Sequence, residues 1–500
     1  MGFFLIFGIV SLGCTNSTLE MSFDAKQKDK PQKSQEDTSS TVNYEPYDLP
    51  SPNTDIQYEY ADLNLPDHFS NPNSPYGVVI TSDNTPSDNP ATNAGATLGR
   101  VLFYDRRLSQ NNTTSCASCH VQEYGFSDPR QFSVGLYGDP TDRHSMPLVN
   151  VRYYLTGHMF WDERAESLEI QALEAITNPI EMDMDLDVLE GKLSDTDFYP
   201  DLFEEAFGSP EITDEKIAKA IGQFVRSMVS FNSKYDQAFL VGEDGVPDFE
   251  AVFTESELLG NDLFGSVLNP SNADVVDEDG EDNGSLRCDT CHRTVNQFSG
   301  LAAGALPDNL EGPFATNNGL DATTIDEGAG DARFKSPTLR NIAVRGRFMH
   351  DGRFTTLEQV VEFYNSGIQD HFYLHRLLRE FVPAGSQDGF PPPVKFNLTD
   401  EEKKALVDFM KTLTDETFLE DPKYSDPFTY DELLILHAVQ WFHTSVVIFL
   451  LLYFLCYFSF CVSFLSKGSW NSIPSSNPAF FLIRLQYLCN CFGPLPFGGQ

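Results

Sequence analysis

Apolar residues fall mainly at helical spacing from about residue 96 to about residue 427, and convincing alternation is scarce, so an all-α fold is expected there. Residues 163–176 place Leu168, Ile170, Leu173 and Ile176 mainly on one face. Residues 214–231 put Ile217, Ile221, Phe224, Val225 and Met228 on one stripe, headed by Thr213 as N-cap. Thr355-x-x-Glu358 and Thr399-x-x-Glu402 read as capping boxes before two further apolar-periodic runs. Three stretches break the pattern. Residues 15–57 are polar and rich in Ser, Thr, Asp, Lys and Gln, the composition of a flexible tether. Residues 71–95, with repeated Pro, Asn, Ser and Gly, read as extended loop. Residues 269–286 are strongly acidic and read as a solvated insertion, because a calcium loop would need a closing Glu that is missing.

Both ends are apolar. Residues 1–14 form a short apolar run into Cys14 and read as an export signal. Ser11-Leu12-Gly13-Cys14 is similar to a bacterial lipoprotein box, which would lipidate Cys14; an ordinary signal peptide is the alternative. The tail, 428–500, holds an uncharged stretch at 444–465 long enough to cross a bilayer. Asp431 and Glu432 precede it and Lys467 and Arg484 follow, so the folded region is expected outside the cytoplasm. The competing reading is that 429–500 are foreign to the domain.

Length and charge narrow the function. A chain of 500 residues has room for roughly two to four domains. Its 33 Lys and Arg against 74 Asp and Glu give a net charge of −41, which excludes nucleic acid and charge-driven docking on an anionic membrane. The nine cysteines do not form a disulfide framework: four make two C-x-x-C pairs, one follows the apolar leader and four lie in the tail.

Those two pairs carry the chemistry. Cys116-Ala117-Ser118-Cys119-His120 and Cys288-Asp289-Thr290-Cys291-His292 are both C-x-x-C-H. Two thiols one turn apart can each form a thioether to a haem vinyl group, and the adjacent His is placed to ligate the iron. A four-cysteine zinc site is the rival, but zinc needs no His after each pair, and the pairs lie 172 residues apart.

With these motifs the chain resembles the bacterial di-haem cytochrome c peroxidase family over roughly residues 60–427. Its matching segments are Leu98-Gly99-Arg100-Val101-Leu102-Phe103-Tyr104-Asp105, Phe160-Trp161-Asp162-Glu163-Arg164-Ala165, Ser336-Pro337-Thr338-Leu339-Arg340-Asn341 and Met349-His350-Asp351-Gly352. The resemblance implies two cytochrome-c-like haem domains packed face to face, 58–250 for the peroxidatic haem and 251–427 for the electron-transfer haem. His120 and His292 would be the proximal ligands. Trp161 would relay electrons between the haems, with Gln171 ten residues later and Glu181 twenty residues later. Glu181, supported by Gln171, would move the peroxide proton to the leaving oxygen.

Two departures are similar to the MauG-type, methylamine-utilisation branch. Leu136 stands where many members carry a His ligand, so the first haem is expected to keep an open sixth position, with His144 and His158 as the nearby substitutes. Tyr364 stands fourteen residues after His350, where a Met is usual, and would be the second haem's distal ligand, lowering its potential. The resemblance also implies a calcium ion between the haems; the usual Asn is His144, with backbone oxygens near Arg345 and Arg347 as further donors. His350 is expected at a haem edge, and His371 and His375 on the surface.

The function expected is an exported, periplasmic-side oxidoreductase that reduces hydrogen peroxide with electrons from a small c-type cytochrome or another redox protein presenting a basic face. Membrane attachment through lipid, tail or both belongs to this reading, and a homodimer is compatible with it. The rivals are MauG-type oxidation of a protein or organic substrate, and a non-catalytic electron-transfer cytochrome with two low-spin haems.

Overall fold

Thr92 accepts a hydrogen bond from the Gly95 N–H and so starts a helix that carries Leu98, Val101, Leu102 and Phe103 into the interior. The computed structural model describes residues 49–71, 77–154, 156–242, 246–265, 286, 288–292, 315–380 and 390–429. The leader, most of the tether, residues 269–285 of the acidic insertion and the 444–465 segment lie outside these. Among the described residues there is no β-strand, only isolated bridges, and no helix is long and apolar enough to cross a membrane. The helices are α1 (Asp67–Ser70), α2 (Asn93–Tyr104), α3 (Leu168–Thr177), α4 (Leu186–Ser194), α5 (Tyr199–Phe207), α6 (Asp214–Ser227), α7 (Lys234–Val241), α8 (Phe249–Val252), α9 (Glu255–Phe264), α10 (Leu357–Glu362), α11 (Asp400–Lys411) and α12 (Glu416–Leu419).

Two helix crossings organise the fold. α2 meets α6 where Gly99 lies against Ala220: a Cβ on Gly99 would come within 2.0 Å of the Ala220 carbonyl oxygen and 2.8 Å of Phe224 Cβ. α9 meets α11 in the same way, with a Cβ on Gly260 falling 2.0 Å from the Ala405 carbonyl oxygen and 2.8 Å from Phe409 Cβ. Each Gly allows backbone-to-backbone approach, and each facing Phe is fully buried beside it. One core gathers Phe103, Leu168, Ile176, Ile221 and Phe224 around the first crossing; the other gathers Leu263, Leu357, Val361, Leu406 and Phe409 around the second. Neither core is one stretch of chain. Tyr60, Phe418 and Tyr424 close the first, whereas Phe69, Tyr153, Tyr154 and Tyr235 belong to the second.

Several expectations shift. Thr213 caps α6 and Thr399 with Glu402 forms the capping box of α11, but the box at α10 is Thr356 with Gln359, one residue later than expected. α3 begins at Leu168 rather than 163, because Ser167 caps it and the preceding segment is a tight loop; Ile170 on it is exposed. α6 stops at Ser227. Gly77–Ser82, inside the expected loop, is a 3-10 turn. The tether ends earlier than expected, since Arg107 Nη2 holds the Leu49 carbonyl at 2.5 Å and the Asn53 N–H donates to Pro427 at 2.7 Å.

Gly99→Ala and Gly260→Ala are each expected to destabilise the protein by roughly 1–3 kcal/mol through overpacking, despite a helix-propensity gain of about 1 kcal/mol. Thermal unfolding of the two variants checks this.

Candidate haem-binding sites

The two C-x-x-C-H turns are built alike. Cys116–Ser118 and Cys288–Thr290 each form a 3-10 turn, and the His120 and His292 N–H groups both donate back to the first Cys carbonyl at 3.0 Å. Each imidazole then finds a backbone acceptor. His120 Nδ1 lies 2.9 Å from the Phe126 carbonyl oxygen and His292 Nδ1 lies 3.2 Å from that of Pro337. A carbonyl can only accept, so both Nδ1 atoms carry the proton and both Nε2 atoms keep a lone pair, the arrangement a metal-ligating His needs. Burial lowers the pKa of both rings, His292 to about 4, so the ligating form persists at neutral pH.

All four cysteines are free thiols here. Burial pushes Cys116 and Cys288 up to about 12, and Cys119 and Cys291 to about 11, so none is an activated thiolate. An imidazole held in the ligating tautomer directly after each thiol pair fits covalent haem better than a four-thiolate zinc site, which has no use for it.

A cavity of about 780 Å³ opens on the first turn. Cys116, Cys119 and His120 line it together with Trp161, Gln171 and Glu181, so every residue assigned to the first haem's chemistry meets one space. Asn178 Nδ2 donates to Glu181 Oε1 at 3.0 Å. Burial raises the Glu181 carboxyl to about 7, with Arg164 opposing the rise. The Leu136 N–H donates to the carbonyl of Ile180 at 2.8 Å, tying its loop to the residue before Glu181. The neighbouring histidines are engaged: His144 with Ser127 Oγ at 3.1 Å and the Gln131 carbonyl at 3.2 Å, His158 with the Glu163 carbonyl at 3.2 Å.

Trp161 is buried and fixed at both ends. Its Nε1–H donates to the His144 carbonyl at 2.7 Å, and its own carbonyl accepts from the Lys335 N–H at 2.8 Å. It faces His350 edge-on at 6.5 Å between ring centroids, and His350 stacks on Phe334 at 3.6 Å. These two residues come from matching loops. Met159 bridges to Ala165 and Phe348 to Phe354; Phe160 and Met349 both have positive φ, as do Glu163 and Gly352. Asp162 pairs with Arg164 as Asp351 pairs with Arg353. This internal repeat, Trp161-Asp162-x-Arg164 against His350-Asp351-x-Arg353, is legible in the sequence once the loops are aligned.

The repeat also exposes an asymmetry. Tyr364 stands fourteen residues after His350, and Ala175 stands fourteen after Trp161. Ala175 lines the first cavity and offers no ligand. Tyr364 lies in a π-helical turn, Phe363–Gly367, that follows α10 rather than on a continuous helix. Its hydroxyl accepts from Asn318 Nδ2 at 3.4 Å, and burial pushes the phenol up to about 12, with the Cys291 and Cys288 thiols adding to the rise. Sequence reasoning missed Met349, whose sulfur lies 3.8 Å from the same Asn318 nitrogen. His371, expected on the surface, is buried and bonded to Asn317 and Thr324.

A chain that is helical and strand-free among its described residues, with two matched C-x-x-C-H turns that each hold their His in the ligating tautomer, is a di-haem c-type oxidoreductase. The family model for di-haem cytochrome c peroxidase matches residues 93–245. The methylamine utilization protein MauG of Paracoccus denitrificans is 31% identical over 391 residues, covering 69% of this chain and 95% of its own. That of Methylorubrum extorquens is 31% identical over 342 residues, covering 66% and 81%. The cytochrome c551 peroxidase of Nitrosomonas europaea is 33% identical over 273 residues, covering 53% and 71%. A solved MauG-like protein associated with microbial copper homeostasis is 30% identical, with a TM-score of 0.53, over 68% of this chain and 95% of that one. The chain belongs to the di-haem cytochrome c peroxidase and MauG family, whose members are enzymes.

Trp161→Phe leaves the buried His144 carbonyl without its donor and is expected to cost roughly 1–3 kcal/mol. Thermal unfolding of the holoprotein measures it.

Proposed function

We propose that this protein reduces hydrogen peroxide at the first haem, with electrons arriving through the second. The observation that carries the reading is Glu181: a carboxyl raised to about 7 stands in the wall of the cavity that Cys116, Cys119 and His120 also line. A haem held by Cys116, Cys119 and His120 would supply an iron that receives the peroxide and exchanges single electrons. Glu181 takes the proton from the nearer peroxide oxygen and returns it to the departing one, a task suited to a carboxyl that titrates near neutrality. Gln171 lines the same space and orients the substrate. Ala175 lines the same space and offers no ligand, and Leu136, unable to ligate, would leave a haem held here ready for peroxide without prior reduction. Trp161, fixed at both ends, carries electrons across from the side of His350, and the residues proposed for the second haem are Cys288, Cys291, His292 and Tyr364.

Two domains, 58–250 and 251–427, with one haem each, are part of this reading, as is a periplasmic setting. Attachment through Cys14 or residues 444–465, and self-association, rest on the sequence alone. A calcium ion between the haems does not fit the residues present. Both His144 ring nitrogens are engaged and its carbonyl holds Trp161, while the buried Arg345 guanidinium donates to the Arg340 carbonyl at 2.6 Å and puts positive charge close enough to oppose His144 protonation.

The MauG-type alternative, oxidation of a protein or organic substrate, is favoured by one observation: Tyr364, the residue proposed as ligand in place of a Met, is buried close enough to Cys288 and Cys291 for their thiols to raise its phenol. Negligible turnover with reduced cytochrome c as donor would support it.

Glu181→Gln is expected to slow peroxide turnover about 10²- to 10⁴-fold with both haem spectra intact. The carboxylate form must accept the proton, so wild-type kcat/KM should rise as pH passes through about 7, and the variant should lose that limb. Unchanged turnover rejects the role. Tyr364→Phe is expected to raise the second haem's reduction potential, by roughly 60 mV for each tenfold preference for ferric iron that is lost; a spectroelectrochemical titration reads the shift.

A further inference from the structure

Behind Trp161 lies a buried cluster of titratable side chains that the peroxide chemistry does not use. Tyr154, Glu163 and Lys335 are 1%, 5% and 4% exposed. The Tyr154 hydroxyl donates to Glu163 Oε1, and the other Glu163 oxygen accepts from the Ala315 N–H at 3.3 Å. Lys335 Nζ sits 3.6 Å from the centre of the Tyr154 ring and donates to the His158 carbonyl at 3.0 Å. The same ammonium lies 3.8 Å from the Met159 sulfur. Lys335 and Met159 both line the first cavity, so Tyr154 stands one side chain behind the wall of that cavity. Lys335 also fixes the Trp161 carbonyl through its backbone N–H at 2.8 Å.

A buried phenol loses an electron readily only if its proton leaves at the same time, because an aromatic cation radical beside an ammonium is strongly disfavoured. The Glu163 carboxylate is placed to accept that proton. Burial and the Glu163 charge hold the phenol protonated at rest, against a hydrogen bond from Thr156, so the hydroxyl has a proton to give. Burial also lowers Lys335 to about 7, with Glu163 opposing.

We infer that Tyr154 and Glu163 form a holding site for one oxidising equivalent, filled from the first haem when electrons from the donor arrive late. One electron passes from the Tyr154 ring to the oxidant that peroxide leaves at the first haem, and the hydroxyl proton moves to Glu163 Oε1. The products are a neutral phenoxyl radical, a protonated Glu163 and a haem reduced by one electron. An electron from the redox partner and the proton returned by Glu163 restore the pair. Tyr154 is sealed from solvent, so the equivalent is stored and does not leave through it. Lys335, against the ring face, makes the pair harder to oxidise in its protonated form.

The inference rests on peroxide reacting at the first haem, and the test separates the two. The oxidised holoprotein, without donor, is mixed with hydrogen peroxide and followed by optical absorption and by rapid-freeze electron paramagnetic resonance. The expected result is a haem spectral change together with a tyrosyl signal that narrows on ring-deuterated tyrosine and is lost in Tyr154→Phe. Glu163→Gln, which cannot accept the proton, should slow the appearance of that signal about a hundred-fold while the haem still responds. A haem response with no tyrosyl signal, or with one that persists in Tyr154→Phe, overturns the holding site and leaves the peroxide reading standing. No haem response overturns both.

Discussion

Two backbone carbonyls govern this molecule. Phe126 and Pro337 each take the Nδ1 proton of an imidazole, and so fix the direction in which His120 and His292 present their remaining lone pair. The C-x-x-C-H turn cannot do this by itself, because nothing within it constrains the ring about its own axis. Pro337 has a second duty, since it also lines the first cavity while holding the second site's His. The first cavity and the second turn therefore meet at Pro337, with Lys335 and Thr338 beside it in the cavity wall. Because the Lys335 N–H also holds the Trp161 carbonyl, this short stretch of chain links the orientation of the His292 ring to the backbone of Trp161.

The rest of the structure reads as one plan executed twice and then made unequal. Two Gly-to-Ala helix crossings, two turns and two positive-φ loops repeat closely. The differences fall where chemistry is decided. One loop offers an indole and the other an imidazole, and fourteen residues after each stands Ala175 in one case and Tyr364 in the other. Glu181, with its carboxyl raised to about 7, stands in the wall of the cavity at the first turn. Duplication explains the scaffold, and substitution at a few positions separates a site that binds substrate from a site that passes electrons.

Much of this was legible in the residues. The two C-x-x-C-H motifs, and the spacing of Trp161, Gln171 and Glu181, led to side chains that line one cavity with the first turn. The helical class followed from apolar periodicity. Where the sequence misled, the cause was local and physical. Thr355 and Thr356 both have an acceptor three or four residues on, and only backbone geometry selects Thr356 as the cap. His371 looked like a surface residue in a polar stretch, but Asn317 and Thr324, far away in the chain, bury and satisfy it. The Tyr154, Glu163 and Lys335 cluster could not be read, because Tyr154 and Glu163 meet through an irregular loop with no periodic pattern and Lys335 reaches them from a distant part of the chain. The expected calcium depended on an analogy that His144 and Arg345 do not support.

The proposed function requires one haem with a free coordination position and one with both positions filled by the protein. Electron paramagnetic resonance of the resting, fully oxidised holoprotein tests it most directly. The expected spectrum holds one high-spin ferric signal, from a haem in the cavity that Glu181 and Ala175 line, and one low-spin ferric signal from a haem with two protein ligands. Two low-spin, six-coordinate haems would contradict it, leaving peroxide no site and Glu181 no proton to move.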